Sequence, residues 1–189
     1  MTHAEVLQVF RDTGALLEGH FILRSGLHSR QFFQCALALQ QMPVVERLGA
    51  ALAAQVRALR ATTVIAPAMG GLVIGQEVAR QLGLRFIFAE KEDGKLVLRR
   101  GFKIAPGERL LVVEDVVTTG GSTKEVIDLV RSLGGNVIGV GSIIDRSGLE
   151  IDFGVPFKPL AKVKVETFEE DRCPLCKKGI PITKPGSRR

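Results

Sequence analysis

Residues 110–123 read Leu-Leu-Val-Val-Glu-Asp-Val-Val-Thr-Thr-Gly-Gly-Ser-Thr, and nearly every position has a chemical use. An apolar run delivers two adjacent carboxylates, Glu114 and Asp115, to the end of a strand. Thr118 and Thr119 follow, then Gly120-Gly121, then Ser122-Thr123 at the start of a helical pattern. Everything after the acids suits a phosphomonoester. Glycines let backbone N–H groups turn inward, hydroxyls donate, and a helix N-terminus adds partial positive charge. The carboxylates would repel a phosphate; they suit the hydroxyls of an attached sugar, or a divalent cation shared with it. A plain strand, turn and capped helix with a solvated acidic pair would explain each piece but not their order. The string lacks the Gly-Lys-Ser/Thr of an ATP-binding loop and the glycine spacing of a dinucleotide fingerprint.

Such a loop needs a strand behind it and a helix after it, and the chain supplies both repeatedly. Residues 43–60 have a helical apolar period (Val45, Leu48, Leu52, Val56, Leu59), and residues 62–66 form a short apolar strand. Gly70-Gly71 opens a second helix that ends at Gly83. Strands are predicted at 85–89, 110–113 and 136–144, and a helix at 121–133. Uninterrupted apolar strands alternating with helices indicate a parallel sheet covered on both faces. Right-handed crossovers make this a doubly wound α/β fold, whose ligands bind beyond the carboxyl ends of strands. Residues 91–108 are charged, carry no strong period, and read as a loop.

The ends differ from this core. Thr2 and Glu5 form a capping box ahead of Val6, Leu7, Val9 and Phe10. Residues 19–40 read as two short strands joined by a turn at Ser25-Gly26. Residues 1–42 and the C-terminal tail are therefore expected as an accessory hood on an α/β core of residues 43–160, within a single domain of residues 1–189.

Composition limits the function classes. The 189 residues are 46% hydrophobic and 24% charged, with no Tyr or Trp and 10 Phe. No apolar run reaches the ~20 residues of a membrane span, and no signal peptide is visible. Three cysteines make no disulfide framework, which points to a reducing cytoplasm. The net charge of +6 is scattered, which fits a small phosphorylated substrate better than nucleic acid or a membrane.

The 110–123 string closely resembles the phosphoribosyl-pyrophosphate (PRPP) signature of type I phosphoribosyltransferases. The resemblance implies that Glu114 and Asp115 hold the ribose hydroxyls and that Thr118, Thr119, Gly120, Gly121 and Ser122 cradle the 5-phosphate. Val116 and Val117 complete that substrate-contacting run, and Mg²⁺ is carried by PRPP rather than by a dedicated protein site. Residues 20–29, His-Phe-Ile-Leu-Arg-Ser-Gly-Leu-His-Ser, look like the N-terminal segment of the orotate-using members. The Phe32-Phe33 pair resembles an aromatic pair there, and Asp145-Arg146 is similar to an Asp-Arg sequence whose Arg contacts the orotate carboxylate. This implies base-site roles for Arg24, Phe33 and Arg146, although core packing accounts equally well for the two phenylalanines. A guanidinium fork with an aromatic face suits a planar monocarboxylate.

Lys91 resembles the Lys that contacts PRPP, and Gly70 stands where some orotate members carry Lys. Lys95 and then Arg100 are the candidate catalytic cations of the 91–108 loop, with Asp115 as the catalytic carboxylate. The resemblance also implies a homodimer in which that loop closes over a neighbour's site. A purine phosphoribosyltransferase and a non-catalytic PRPP-binding regulator remain as alternatives. Cys173-Pro-Leu-Cys176 looks like half of a zinc ribbon, without a second Cys-x-x-Cys or paired His. Zinc shared between subunits, a disulfide or redox pair, and two reduced structural thiols all stay open. His20 and His28 read as structural or exposed, lacking a metal-like partner at useful spacing.

Overall fold

The computed structural model describes residues 1–23 and 25–185. The Thr2–Glu5 capping box forms, with Thr2 N–H donating to Glu5 Oε2 at 2.6 Å. It starts α1 (His3–Asp12), which buries Val6, Val9 and Phe10. β1 (Leu16–Ile22) and β2 (His28–Phe33) then form the expected antiparallel hairpin. Next come α2 (Cys35–Leu39), which the sequence pattern did not reveal, and α3 (Met42–Val56), followed by a single 3₁₀ turn at Arg57–Leu59.

The core alternates β3 (Thr63–Pro67), α4 (Gly71–Leu82), β4 (Arg85–Glu92), β5 (Lys95–Leu98), β6 (Arg109–Val117), α5 (Gly121–Ser132), β7 (Asn136–Asp145) and β8 (Phe157–Lys162). These strands form a six-stranded sheet in the order β5-β4-β3-β6-β7-β8, parallel except for β5. Successive side chains along each strand serve opposite faces. Val64, Leu111 and Val113 pack with Leu48, Leu52, Ile74 and Val78 of α3 and α4. Ile65, Leu110 and Val112 pack with Val126, Ile127 and Val130 of α5 on the other side. This is the doubly wound arrangement the strand pattern implies. The order reverses direction between β3 and β6, so their carboxyl ends splay apart and leave a crevice.

One region differs from expectation. Residues 91–98 are not loop: β4 runs to Glu92 and turns back into β5 through Asp93 (φ 49°) and Gly94 (φ 82°). An Asp-Gly pair with both residues left-handed matches the twist of a two-residue hairpin, and Leu96 anchors the returning strand in the core. The two ends of the chain meet in the hood. After β8 joins the main sheet, β9 (Thr167–Phe168) pairs with β2, making a three-stranded hood β1-β2-β9. The chain then runs through a 3₁₀ turn and α6 (Pro174–Lys177), and Thr183 bridges to Phe21 on the outer edge of β1.

His20 and His28, read from sequence as lacking metal-like partners, are both buried, with ring centroids 4.9 Å apart across the hairpin. Cys173 and Cys176 lie against them. Sequence spacing concealed this because the tail returns across the whole molecule. Among the described residues, no helix is long and apolar enough to cross a membrane.

Candidate active site

The crevice past β3 and β6 opens into a cleft of about 450 Å³. Its floor is the β6–α5 connection. Gly120 takes φ 77°, a left-handed conformation that glycine adopts without cost, and so aims the following amides at the cleft. No side chain caps α5 at Gly120. Gly121 N–H has only a long contact to Thr119 Oγ1, at 3.4 Å. The first turn of α5 therefore presents donors beside the Thr118, Thr119 and Ser122 hydroxyls, which is an anion cradle.

The acidic pair sits at the cleft wall. Glu114 is 6% exposed. Burial, and then the neighbouring Asp115, push its carboxyl well above the usual range. Burial also raises Asp115, against the pull of Val116 N–H, which donates to Asp115 Oδ1 at 2.8 Å. Among the described residues, neither acid has a basic partner within salt-bridge distance. Two crowded carboxylates without a counter-charge call for hydroxyl donors or a hard cation from a ligand.

The β3–α4 turn comes up against Asp115, and its Ala68–Met69 peptide is cis. A Cβ on Gly70 would lie 2.7 Å from Asp115 Oδ1. A side chain there would displace the carboxylate, so at Gly70 the turn presents only backbone. Gly71 has a similar constraint: its Cβ would meet the Val113 carbonyl at 2.8 Å, which lets α4 begin hard against the sheet.

Arg146 follows β7 and extends the ladder, its N–H donating to the Val117 carbonyl at 2.8 Å. Its half-buried guanidinium faces the cleft, has no carboxylate partner among the described residues, and is pushed down in pKa by burial. Phe32 lines the same cleft. Phe33 does not: it is buried in the core, 5.7 Å from the Phe10 ring. The antiparallel register sends these neighbours to opposite faces of the hairpin, so the aromatic surface in the cleft belongs to Phe32 rather than Phe33. Arg24 lies outside the described residues.

The cations of residues 91–100 divide differently. Lys91 Nζ lies 3.6 Å from Glu125 Oε2, and Glu125 lines the cleft. Lys95 stands on β5, outside the cleft lining but in a neighbouring depression that shares Glu125 with it, and has no ion-pair partner among the described residues. Arg100 is engaged by Glu90 through two hydrogen bonds of 2.8 Å. The structure thus gathers Glu114, Val116, Val117, Thr118, Thr119, Gly120, Gly121, Ser122 and Arg146 around one cleft, with Asp115 against its lip. It leaves Phe33, Lys95 and Arg100 outside.

Sequence reasoning missed Glu125, Leu23 and Ser25 among the lining residues. Glu125 lies one helical turn beyond Ser122, a spacing that could have flagged it. Cys35 was also missed as a neighbour of the site. It is buried, and its thiol is pushed well up by burial and then by Asp115 and Glu114.

The family model of the phosphoribosyl transferase domain matches residues 36–154. The chain is 54% identical over 189 residues to the orotate phosphoribosyltransferase of Caldanaerobacter subterraneus subsp. tengcongensis, covering all of both chains. It is 52% identical over 187 residues to that of Carboxydothermus hydrogenoformans, covering 98% of each. The crystal structure of orotate phosphoribosyltransferase from Aeropyrum pernix superposes with a TM-score of 0.71 at 27% identity, over 84% of this chain and 93% of that one. Full-length identity at this level, on a cleft built this way, means that the chain belongs to the phosphoribosyltransferases, in the family of the orotate enzymes.

Proposed function

We propose that the chain transfers the 5-phosphoribosyl group of PRPP to orotate, forming orotidine 5-monophosphate and pyrophosphate, as a cytoplasmic step of pyrimidine biosynthesis. The observation that carries this reading is the unpaired, half-buried Arg146 beside Phe32, in the same cleft as Glu114 and the phosphate cradle. A guanidinium binds a carboxylate through two parallel hydrogen bonds, and a purine has no carboxylate to offer. The dispersed basic charge and retained acidic pair favour an enzyme over a nucleic-acid-binding regulator.

In this reading the α5 N-terminus and the Thr118–Ser122 amides hold the 5-phosphate. Glu114 and Asp115 accept hydrogen bonds from the ribose hydroxyls, which fixes the sugar. Arg146 and Phe32 hold the base edge-on and face-on. A ring nitrogen of orotate, its proton passed to solvent, bonds to C1 while the C1–O bond breaks and its electron pair leaves with pyrophosphate. Positioning the nucleophile opposite the leaving group supplies much of the rate. The uncompensated oxygens of Glu114 and Asp115 fit a Mg²⁺ that arrives with PRPP, and when bound it would neutralise charge on the leaving pyrophosphate. Lys91 at the cleft edge is placed to assist.

The reading includes a homodimer in which the β4–β5 hairpin serves the neighbouring copy's cleft. Its support is that Lys95 is not among the residues lining the cleft of its own chain. The decisive test is turnover with PRPP, Mg²⁺ and orotate, followed by loss of the orotate ultraviolet band, with adenine and hypoxanthine inactive. Arg146→Ala is expected to raise the orotate KM about 10-fold or more while leaving that of PRPP nearly unchanged. Unaltered orotate affinity in that variant would overturn the base-site assignment.

A further inference from the structure

His20 on β1, His28 on β2, and Cys173 and Cys176 of the tail bring one donor atom each into a single cluster, all within 4.8 Å of one another. His20 Nε2 lies 2.9 Å from His28 Nδ1, 3.6 Å from Cys173 Sγ and 3.7 Å from Cys176 Sγ. Cys176 Sγ lies 3.3 Å from His28 Nδ1. Around a tetrahedral zinc, the usual bond lengths set nitrogen–nitrogen separations of about 3.3 Å and nitrogen–sulfur separations of about 3.6 Å. The nitrogen–sulfur spacings of 3.3–3.7 Å bracket the second value, and the nitrogen–nitrogen spacing of 2.9 Å falls short of the first by about 0.4 Å, a shift small enough for the side chains to make on binding. We propose that His20, His28, Cys173 and Cys176 of one chain hold a single Zn²⁺ as a structural site.

The surroundings fit this assignment. His20 Nδ1 lies 2.8 Å from the Ile180 carbonyl oxygen, which can only accept, so Nδ1 carries the proton and Nε2 turns its lone pair to the cluster. A ligating histidine is typically fixed this way, by donating its other N–H to a carbonyl. Two thiolates and two neutral imidazoles exactly balance the charge of Zn²⁺, which permits burial; His20, His28 and Cys173 are at most 2% exposed. Both cysteines are free thiols. A mixed S₂N₂ set favours zinc over harder cations. Four protein ligands leave no open position for substrate, so the site is not catalytic.

The site would tie the tail to the hood. Its ligands come from a hairpin and from a turn about 150 residues later, at the start of α6. Leu23 and Ser25, in the turn of that hairpin, line the cleft. Zinc would therefore steady one wall of the base site. This last consequence rests on the orotate reading of the cleft, whereas zinc binding does not.

The test uses the full chain, purified under reducing conditions without chelator and supplied with zinc. Elemental analysis is expected to give about one zinc per chain, and cobalt exchange a tetrahedral thiolate spectrum with sulfur-to-metal charge transfer. Cys176→Ser is expected to lose the metal and that spectrum, while Cys35→Ser keeps both. Should Cys176→Ser fail to fold, strong chelation of the wild type serves instead, with expected zinc release and a fall in Tm of about 5 °C or more. Less than about a tenth of a zinc per chain after loading, with both thiols freely titratable, would overturn the proposal. A Cys173–Cys176 disulfide under reducing conditions, or one zinc per two chains, would overturn it as well. A chelated protein that keeps its orotate KM would remove the hood's effect on the cleft and leave the metal site standing.

Discussion

Glu77 on α4 and Glu114 on β6 are each 6% exposed, but Glu114 lies deeper in the protein and their surroundings are opposite. Glu77 receives Arg80 through two hydrogen bonds, at 2.8 and 2.7 Å, and a third from Gln81 at 2.8 Å. The Arg80 guanidinium holds the Glu77 carboxyl below the usual range despite burial. Glu114 has no such partner, so burial, and then Asp115 beside it, raise its carboxyl. Where a buried carboxylate serves the fold, this chain provides the counter-charge. Where it faces the cleft, the compensation is left for a ligand to bring, and the unliganded protein bears the cost.

The strongest way to break that contrast is to neutralise both residues. Glu114→Gln is expected to lower kcat/KM for PRPP about 100-fold, the loss of a charged hydrogen bond to the sugar, and to raise Tm at pH 8. Glu77→Gln should lower Tm by about 2–4 °C, the response of a chain this size to ~1 kcal/mol, with kcat/KM within about 2-fold of wild type. Equal effects on activity would dissolve the distinction.

The pH profiles of Tm sharpen it further. The depressed Glu77 carboxyl contributes stability above the ordinary carboxylate pKa and loses it as pH falls through the depressed value. The raised Glu114 carboxyl works the other way: its protonated form favours folding, and stability falls as pH rises through the raised value. Glu114→Gln should flatten the alkaline side of the thermal profile, and Glu77→Gln the acidic side.

A smaller effect is expected from Gly70→Ala. The added methyl would meet Asp115 Oδ1 at 2.7 Å and turn that carboxylate away from the sugar. The PRPP KM should rise about 10-fold with little change in that of orotate. An unchanged PRPP KM would mean that the acid pair does not need its present geometry. The smallest expected effects concern the β4–β5 hairpin. Lys95→Ala should lower kcat about 5-fold or more if it serves a cleft, whereas Arg100→Ala, engaged by Glu90, should change kcat by less than ~2-fold.

Much of the sheet could be read from the chain because its strands are largely apolar runs, as at 110–113 and 136–144, with Gly107 and Gly134-Gly135 shortly before them. The β4–β5 hairpin could not be read by period, since Glu90 to Leu98 mix charge and apolar residues, although Asp93-Gly94 marked its turn. The tail was opaque for another reason. β9 is only two residues long, and it is held by β2, far away in sequence, rather than by its own pattern.

The carboxylates, threonines and glycines of residues 114–122 were determined by the sequence itself. They occupy one strand, turn and helix start, whose local backbone preferences suffice to bring them together. Tertiary structure decided the rest. Which of Phe32 and Phe33 meets the cleft depends on hairpin register, and one residue of slip exchanges the two faces. Whether Arg146 meets the phosphate cradle depends on β7 lying next to β6. That His20, His28, Cys173 and Cys176 converge depends on a tail that packs back onto the first hairpin. Such meetings are set by packing over long loops, whose closure leaves no mark in local residue spacing.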